Sequence, residues 1–354
     1  MKTNHKIKLG VSLYSYQDNY YFHKHDLEGC IAAAAGAGAE GIEVFPEAMM
    51  PEWPYISDAF VDKWNGWMER YDLETVCVDH FSDRRMWKNK NLSDDELFER
   101  GTWYIKTAAK LGASTVRLLH EEHIGVHGGG FLKRDYKLTD VTIVERLLPI
   151  AAKYNVMMSL EAHSPTSVDD PCHEPYLELA ERLDLPFVGL QVDFSSYEYC
   201  MTSADVGMYS RKGGHYDILN FVREKQREAY FSGRKFAYEE IEDEILKMGA
   251  NQIDIDGIRF SMRFIQGHSL EKLKEYASKV VYVHGKFYDI DEDGQVDNID
   301  YPKVLKALQD GGYQGYICSE FEGNRRMNDA GWVDEIEFVR KHQKLMRECL
   351  GYRD

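Results

Sequence analysis

A chain of 354 residues, 44% of them hydrophobic, can bury a large core as one α/β barrel or as two domains. Its formal charge of −17 repels phosphate backbones and anionic membrane surfaces, so neither nucleic acid nor a membrane is an expected partner. Six scattered cysteines with no CxxC pair, an N-terminus without a signal-peptide core and no apolar run of membrane-spanning length point to a reducing, cytoplasmic setting.

Short β-branched runs alternate with amphipathic segments along the chain. A first strand is expected over about 8–14, followed by a helix over 27–37 closed by Gly38. A second strand covers 41–45, and a helix over 57–71 places Phe60, Trp64, Trp67 and Met68 on one face. A third strand covers 74–79. Ser93 and Glu96 form a capping box for a helix reaching Leu111. A fourth strand covers 114–119, and Asp140 caps a helix ending near Tyr154. The fifth strand ends at Glu161, a helix covers 174–183, and the sixth strand ends at Asp193. Ser269 caps the next helix, the seventh strand ends at His284, and a helix over 301–308 leads to an eighth strand ending at Glu320. A last helix spans about 332–350. Eight strand–helix units predict a (β/α)8 TIM barrel, a single domain over 1–354 with its chemistry at the C-terminal ends of the strands. An open Rossmann sheet is disfavoured because no GxGxxG follows the first strand.

Two stretches break the repeat. The segment between the sixth and seventh strands is far longer than a plain unit needs, and 198–266 is expected to be a rim insertion acting as a lid, a substrate wall or a subunit contact. A helix is expected within it over 238–248. The second excursion, 121–137, carries Gly128, Gly129 and Gly130, but no following Lys-Ser/Thr helix makes it a phosphate cradle.

Four ligand-type residues fall at the tails of four apolar runs: Glu161, Asp193, His284 and Glu320. A charge ending a buried strand costs free energy unless it is paired or binds a cation. Repeating the placement on four strands predicts one shared centre. Two glutamates, an aspartate and a histidine suit Mn²⁺, with Mg²⁺, Zn²⁺ or Co²⁺ as alternatives.

With SEFEG at 319–323 and VHGKF at 283–287, this series resembles the metal centre of the xylose-isomerase-like sugar isomerase/epimerase superfamily. The resemblance covers the chain outside the insertion. It implies a metal that binds two sugar oxygens, with ligand carboxylates, here Glu161 and Glu320, doubling as proton carriers. The sixth-strand motif there is usually Asp-x-x-His; here the fourth position is Ser196, which departs from a plain ketose epimerase. Glu161-Ala162-His163 and the long insertion look more like the α subunit of bacterial C-glycoside deglycosidases. That resemblance implies a manganese barrel subunit, with His163 as base, paired with a small β-sandwich subunit. It further implies a carbon–carbon lyase acting on oxidised C-glycosides, the 3-oxo forms, by enolisation and elimination. The alternative is a metal-dependent isomerase or epimerase of a ketose or related hydroxy-carbonyl sugar. The DNA-repair branch of the superfamily is disfavoured by the acidic charge.

Other candidates carry two readings each. His163 either removes a proton or donates to a ligand carboxylate. Lys286 either contacts a substrate oxygen or neutralises the carboxylates. His80 and His120, after the third and fourth strands, either touch sugar or cap rim loops. Tyr14 and Phe45 either stack on a ring or fill core, and Glu43 and Glu47 are weaker still. His120-Glu121-Glu122-His123 is one residue too short for a zinc-protease motif. The Asp-rich run 289–300 follows the order of an EF-hand loop, but with Asp300 where a Glu is expected; an Asp-Gly turn accounts for it as well.

Overall fold

Eight parallel strands pair in chain order and close on themselves through the first and the last. The computed structural model describes residues 7–81, 91–119 and 138–352. The strands are β1 (Lys8–Ser12), β2 (Gly41–Val44), β3 (Glu74–Phe81), β4 (Thr115–Leu119), β5 (Met157–Ala162), β6 (Val188–Asp193), β7 (Val280–Phe287) and β8 (Tyr316–Phe321). The expected (β/α)8 barrel is therefore the fold.

The helices form because their apolar faces repeat at helical spacing and their ends are capped. In the helix Asp58–Tyr71, Ser57 accepts from the Phe60 N–H, and Phe60, Trp64, Trp67 and Met68 are buried. Trp64 lies wholly within the core and donates its indole N–H to Thr75 Oγ1 at 2.9 Å. Burying such side chains supplies roughly 1.5–3 kcal/mol each. The Ser93–Glu96 capping box is present in full.

Several expected boundaries move. β7 runs past His284 to Phe287 and β8 past Glu320 to Phe321: His284 is met by Glu43 and Glu161, and Lys286 and Glu320 are cross-strand partners that satisfy each other. The helix expected to start after Asp140 begins at Leu138, with Asp140 inside it. The last helix is Glu335–Leu350, capped by Asp334, which leaves Trp332 outside it and half-exposed. The helix expected over 238–248 is a short 3-10 turn followed by Glu242–Lys247.

Between β6 and β7 the chain folds into the helices Ser203–Arg211, Tyr216–Phe231, Glu242–Lys247 and Gln252–Met262. They enclose an apolar cluster of their own, including Met201, Leu219, Val222, Ile245 and Ile258. Two ion pairs pin this segment to the loop after β8: Arg326 Nε to Asp205 Oδ1 at 2.6 Å, and Arg211 Nη2 to Asp329 Oδ1 at 2.7 Å.

The run 289–300 is a turn, with Gly294 at φ +78°. Its carboxylates serve as caps and ion-pair partners. Asp291 accepts from the Gln295 N–H, Asp297 pairs with Arg223 at 2.8 Å, and Asp300 caps the helix Tyr301–Asp310. His120, the motif beginning there and the 121–137 excursion lie outside the described residues.

The N-terminal half of the barrel interior is plugged. Val76, Cys77, Tyr282 and Cys318 form a buried cluster there. The paired glycines Gly10 and Gly41 let the strands close around it. A Cβ on Gly10 would come within 2.5 Å of Cys318 Sγ, and one on Gly41 within 2.4 Å of Val76 Cγ2.

Candidate metal centre

The four consecutive strands β5 to β8 each deliver one buried ligand-type side chain to the barrel axis. Glu161, Asp193, His284 and Glu320 each offer an atom, and these atoms all lie within 4.8 Å of one another. His284 is central. Its Nδ1 is 3.0 Å from Glu161 Oε1, 2.9 Å from Glu320 Oε2 and 3.9 Å from Asp193 Oδ2. Among the described residues this is the one group of such side chains able to hold a metal.

The donor set fits a divalent cation. Three carboxylates and an imidazole in one buried cage suit a hard or borderline ion. Asp193 Oδ2 and Glu320 Oε2 are buried yet accept no hydrogen bond of good geometry. Asp193 is aimed by its other oxygen, which accepts the Ser195 N–H at 2.7 Å.

Cationic side chains balance the carboxylates. Lys286 Nζ is 2.8 Å from Glu320 Oε2, 3.3 Å from Asp193 Oδ2 and 3.0 Å from Glu322 Oε2. Its backbone carbonyl accepts the Tyr301 hydroxyl at 2.7 Å, which fixes the strand at that point. Arg117, on β4, lies 3.5 Å from Glu161 Oε1 through Nη1 and 2.7 Å from Asp79 Oδ1 through Nε. Burial alone would raise the Glu161 pKa, but Arg117 and His284 win and hold it well below the usual range. Burial raises Asp79 to about 7 in spite of Arg117. For His284, burial opposes the charged ring, yet Glu320 and Glu43 raise its pKa well above the ordinary value.

His163 sits at the edge of the centre, its Nε2 4.0 Å from Asp193 Oδ2. Its Nδ1 is 2.7 Å from the Ser164 carbonyl oxygen. A carbonyl only accepts, so Nδ1 carries a hydrogen, and Nε2 is the nitrogen that faces the cage. The side chain keeps partial exposure, unlike the four ligand candidates.

The remaining sequence candidates divide. Tyr14 is brought to the site: its hydroxyl donates to Glu322 Oε1 at 3.1 Å, and its ring lies 5.6 Å from that of Phe45. His80 is buried with its ring 4.0 Å from the Tyr104 ring, and burial pushes its pKa down to about 3, so it is neutral. Glu47 pairs with Arg100 on the helix Asp94–Leu111. Ser196 points away from the cage, donating to the carbonyls of Ala162 at 3.1 Å and Thr166 at 2.8 Å.

Sequence reasoning missed several members of the site. Glu43 was ranked low, yet it bonds His284. Arg117, Asp79, Gln191 and Glu322 were not singled out. A signal existed for two: Arg117 is a lone charge inside the apolar run of β4, and Glu322 lies two residues past Glu320 in the SEFEG segment.

Residues 31–342 match the xylose isomerase-like TIM barrel family, and the chain belongs to it. Within it, the chain is 28% identical to the C-glycoside deglycosidase alpha subunit of Arthrobacter globiformis, over 97% of this chain and 92% of that protein. It is 27% identical to the 3'-dehydrocarminate deglycosidase alpha subunit of a Microbacterium species, over 97% and 95%. Among solved structures, a D-psicose 3-epimerase with D-tagatose from Clostridium cellulolyticum superposes with TM-score 0.58 at 14% identity, covering 97% of this chain and 99% of that one. The IolI protein with a bound zinc atom gives TM-score 0.56 at 16% identity, over 97% and 98%. These structural likenesses concern the fold.

Proposed function

We propose that this chain is the larger subunit of a metal-dependent carbon–carbon lyase that cleaves 3-oxo-C-glycosides, with Mn²⁺ as the resident ion. The observation that carries the reading is the buried Glu161–Asp193–His284–Glu320 cage with His163 Nε2 at its edge. Likeness to deglycosidase alpha subunits over nearly the whole chain supports this substrate class and a partner subunit.

Glu161, Asp193, His284 and Glu320 would hold the ion, which when bound supplies positive charge to stabilise an oxyanion on the substrate. A ketone at sugar C3 acidifies the hydrogen on C2. His163 Nε2 takes that proton, a role worth roughly 10²–10⁴-fold in rate. The electron pair left on C2 then forms the C1–C2 double bond as the C1–carbon bond to the aglycone breaks. The departing carbon keeps the bonding pair and takes a proton, which the protonated His163 or water returns, so the step balances. Lys286, held between Glu320 and Glu322, and Tyr14, held by Glu322, line the approach and orient sugar oxygens. Ser196 is committed to backbone carbonyls, which supports the lyase over an epimerase that uses a histidine there.

The test is incubation of the purified protein, with any copurifying partner, with a 3-oxo-C-glycoside. Aglycone release that stops on chelation and returns with Mn²⁺ is expected. Release indifferent to chelation, or C2 epimerisation without release, would overturn the reading.

A further inference from the structure

We infer that Glu43 is a positioning residue that fixes which nitrogen of His284 faces the cation. The inference rests on reading the four-residue cage as a metal centre. Glu43 comes from β2, far across the barrel from β7, and is fully buried. Its Oε2 lies 2.7 Å from His284 Nε2, on the opposite side of the ring from the three ligand carboxylates. Two hydroxyls hold the carboxylate in place: Ser12 Oγ donates to Oε1 at 3.2 Å, and Tyr282 donates to Oε2. A ring that binds a cation through Nδ1 must carry its hydrogen on Nε2, and Glu43 Oε2 is the acceptor placed to receive it.

A glutamine packs beside the ring. Ser159 Oγ donates to Gln191 Oε1 at 2.7 Å, which turns the Gln191 amide nitrogen toward the cage. That nitrogen lies 3.2 Å from His284 Nδ1 and 3.4 Å from Nε2, and donates toward Glu161 Oε1 at 3.4 Å, so it holds the ring in place without choosing between its nitrogens. The choice falls to Glu43. The carboxylate also places a fixed negative charge behind the ligand, raising its basicity toward a cation.

The test is Mn²⁺ affinity of the full-length protein, measured by competition with a chromogenic chelator, for Glu43→Gln, Glu43→Ala and Glu320→Gln. Glu43→Gln keeps an acceptor for Nε2 but removes the charge, and should bind about 10-fold more weakly; Glu43→Ala should lose about 100-fold. Should Glu43→Ala fail to fold, Glu43→Gln decides alone. Unchanged affinity in Glu43→Gln, with Glu320→Gln impaired, overturns the role of Glu43 while leaving the metal centre standing. Unchanged affinity in both removes the metal centre itself. The ¹⁵N spectrum of the Mg²⁺-loaded protein gives a readout that mere loss of packing would not move. Nε2 of His284 should carry the hydrogen in the wild type, and an Nδ1-protonated ring would overturn the inference.

Discussion

Lys286 and Glu320 stand opposite each other on β7 and β8, with the ammonium 2.8 Å from the carboxylate that is also a ligand candidate. A bound divalent ion and Lys286 therefore draw on the same oxygens. In the metal-free protein the lysine neutralises Glu320, Asp193 and Glu322; a bound ion would take over the first two and leave Lys286 to Glu322. Lys286→Met should destabilise the metal-free protein by about 3–5 kcal/mol, since it leaves buried carboxylates uncompensated. Saturating Mn²⁺ should recover most of that loss. Urea unfolding of both proteins with and without Mn²⁺ measures it, and equal stabilities in the metal-free state would contradict the role.

Glu320→Gln keeps shape and hydrogen-bonding capacity but removes a charged ligand. Metal content after dialysis, measured by mass spectrometry, should fall at least about 10-fold. The melting temperature of this variant should also stop responding to added Mn²⁺. The wild type should gain about 2.7 kcal/mol at a free-ion concentration 100 times the dissociation constant.

His163→Asn separates base from ligand. The side chain is outside the four-residue cage, so metal content should stay at the wild-type level while kcat falls by about 10²–10⁴-fold. Exchange of the C2 hydrogen with deuterated solvent should slow in parallel. Loss of metal together with activity would make His163 a support for the ligands instead.

Glu198 gives a pH prediction away from the metal. It is buried beside Arg326, Asp205 and Tyr288, and burial, only partly offset by Arg326, raises its pKa to about 8. A carboxyl with a raised folded-state pKa binds its proton more tightly in the native protein. Its contribution to stability is complete below the unfolded value near 4.5 and is lost as pH rises through about 8. Glu198→Gln should flatten the stability profile across that window, by on the order of a few kcal/mol. Thermal melts from pH 5 to pH 9 will show whether the wild type and variant diverge as pH increases.

The ligand cage was legible because each member closes an apolar run, and a charge at the tail of a buried strand stands out in sequence. The barrel was legible for the same reason, from repeated alternation of β-branched runs and capped amphipathic helices. Glu43 was not. It reaches its partner His284 across 241 residues, and no local pattern encodes a contact between non-neighbouring strands. Arg117 gave no such pattern, because the groups that justify it, Asp79 and Glu161, belong to the strands on either side. The strand ends at Phe287 and Phe321 lie beyond those expected at His284 and Glu320, because a charge need not stop a strand where a matched opposite charge on a neighbour lets the ladder continue. Within 203–262 the sequence points to one helix, over 238–248, and otherwise to an irregular excursion; the helices there pack their apolar residues on one another in a cluster of their own.

Among the described residues, the stopper of Val76, Cys77, Tyr282 and Cys318 and the tight Gly10–Gly41 closure fill the barrel below the cage. A molecule that reaches the cage from the C-terminal ends of the strands would then leave by the same end. Turnover then becomes a matter of traffic. A spent molecule lingering in the mouth blocks the next arrival, so each product should act as a competitive inhibitor, and widening the mouth should speed departure without touching the chemistry.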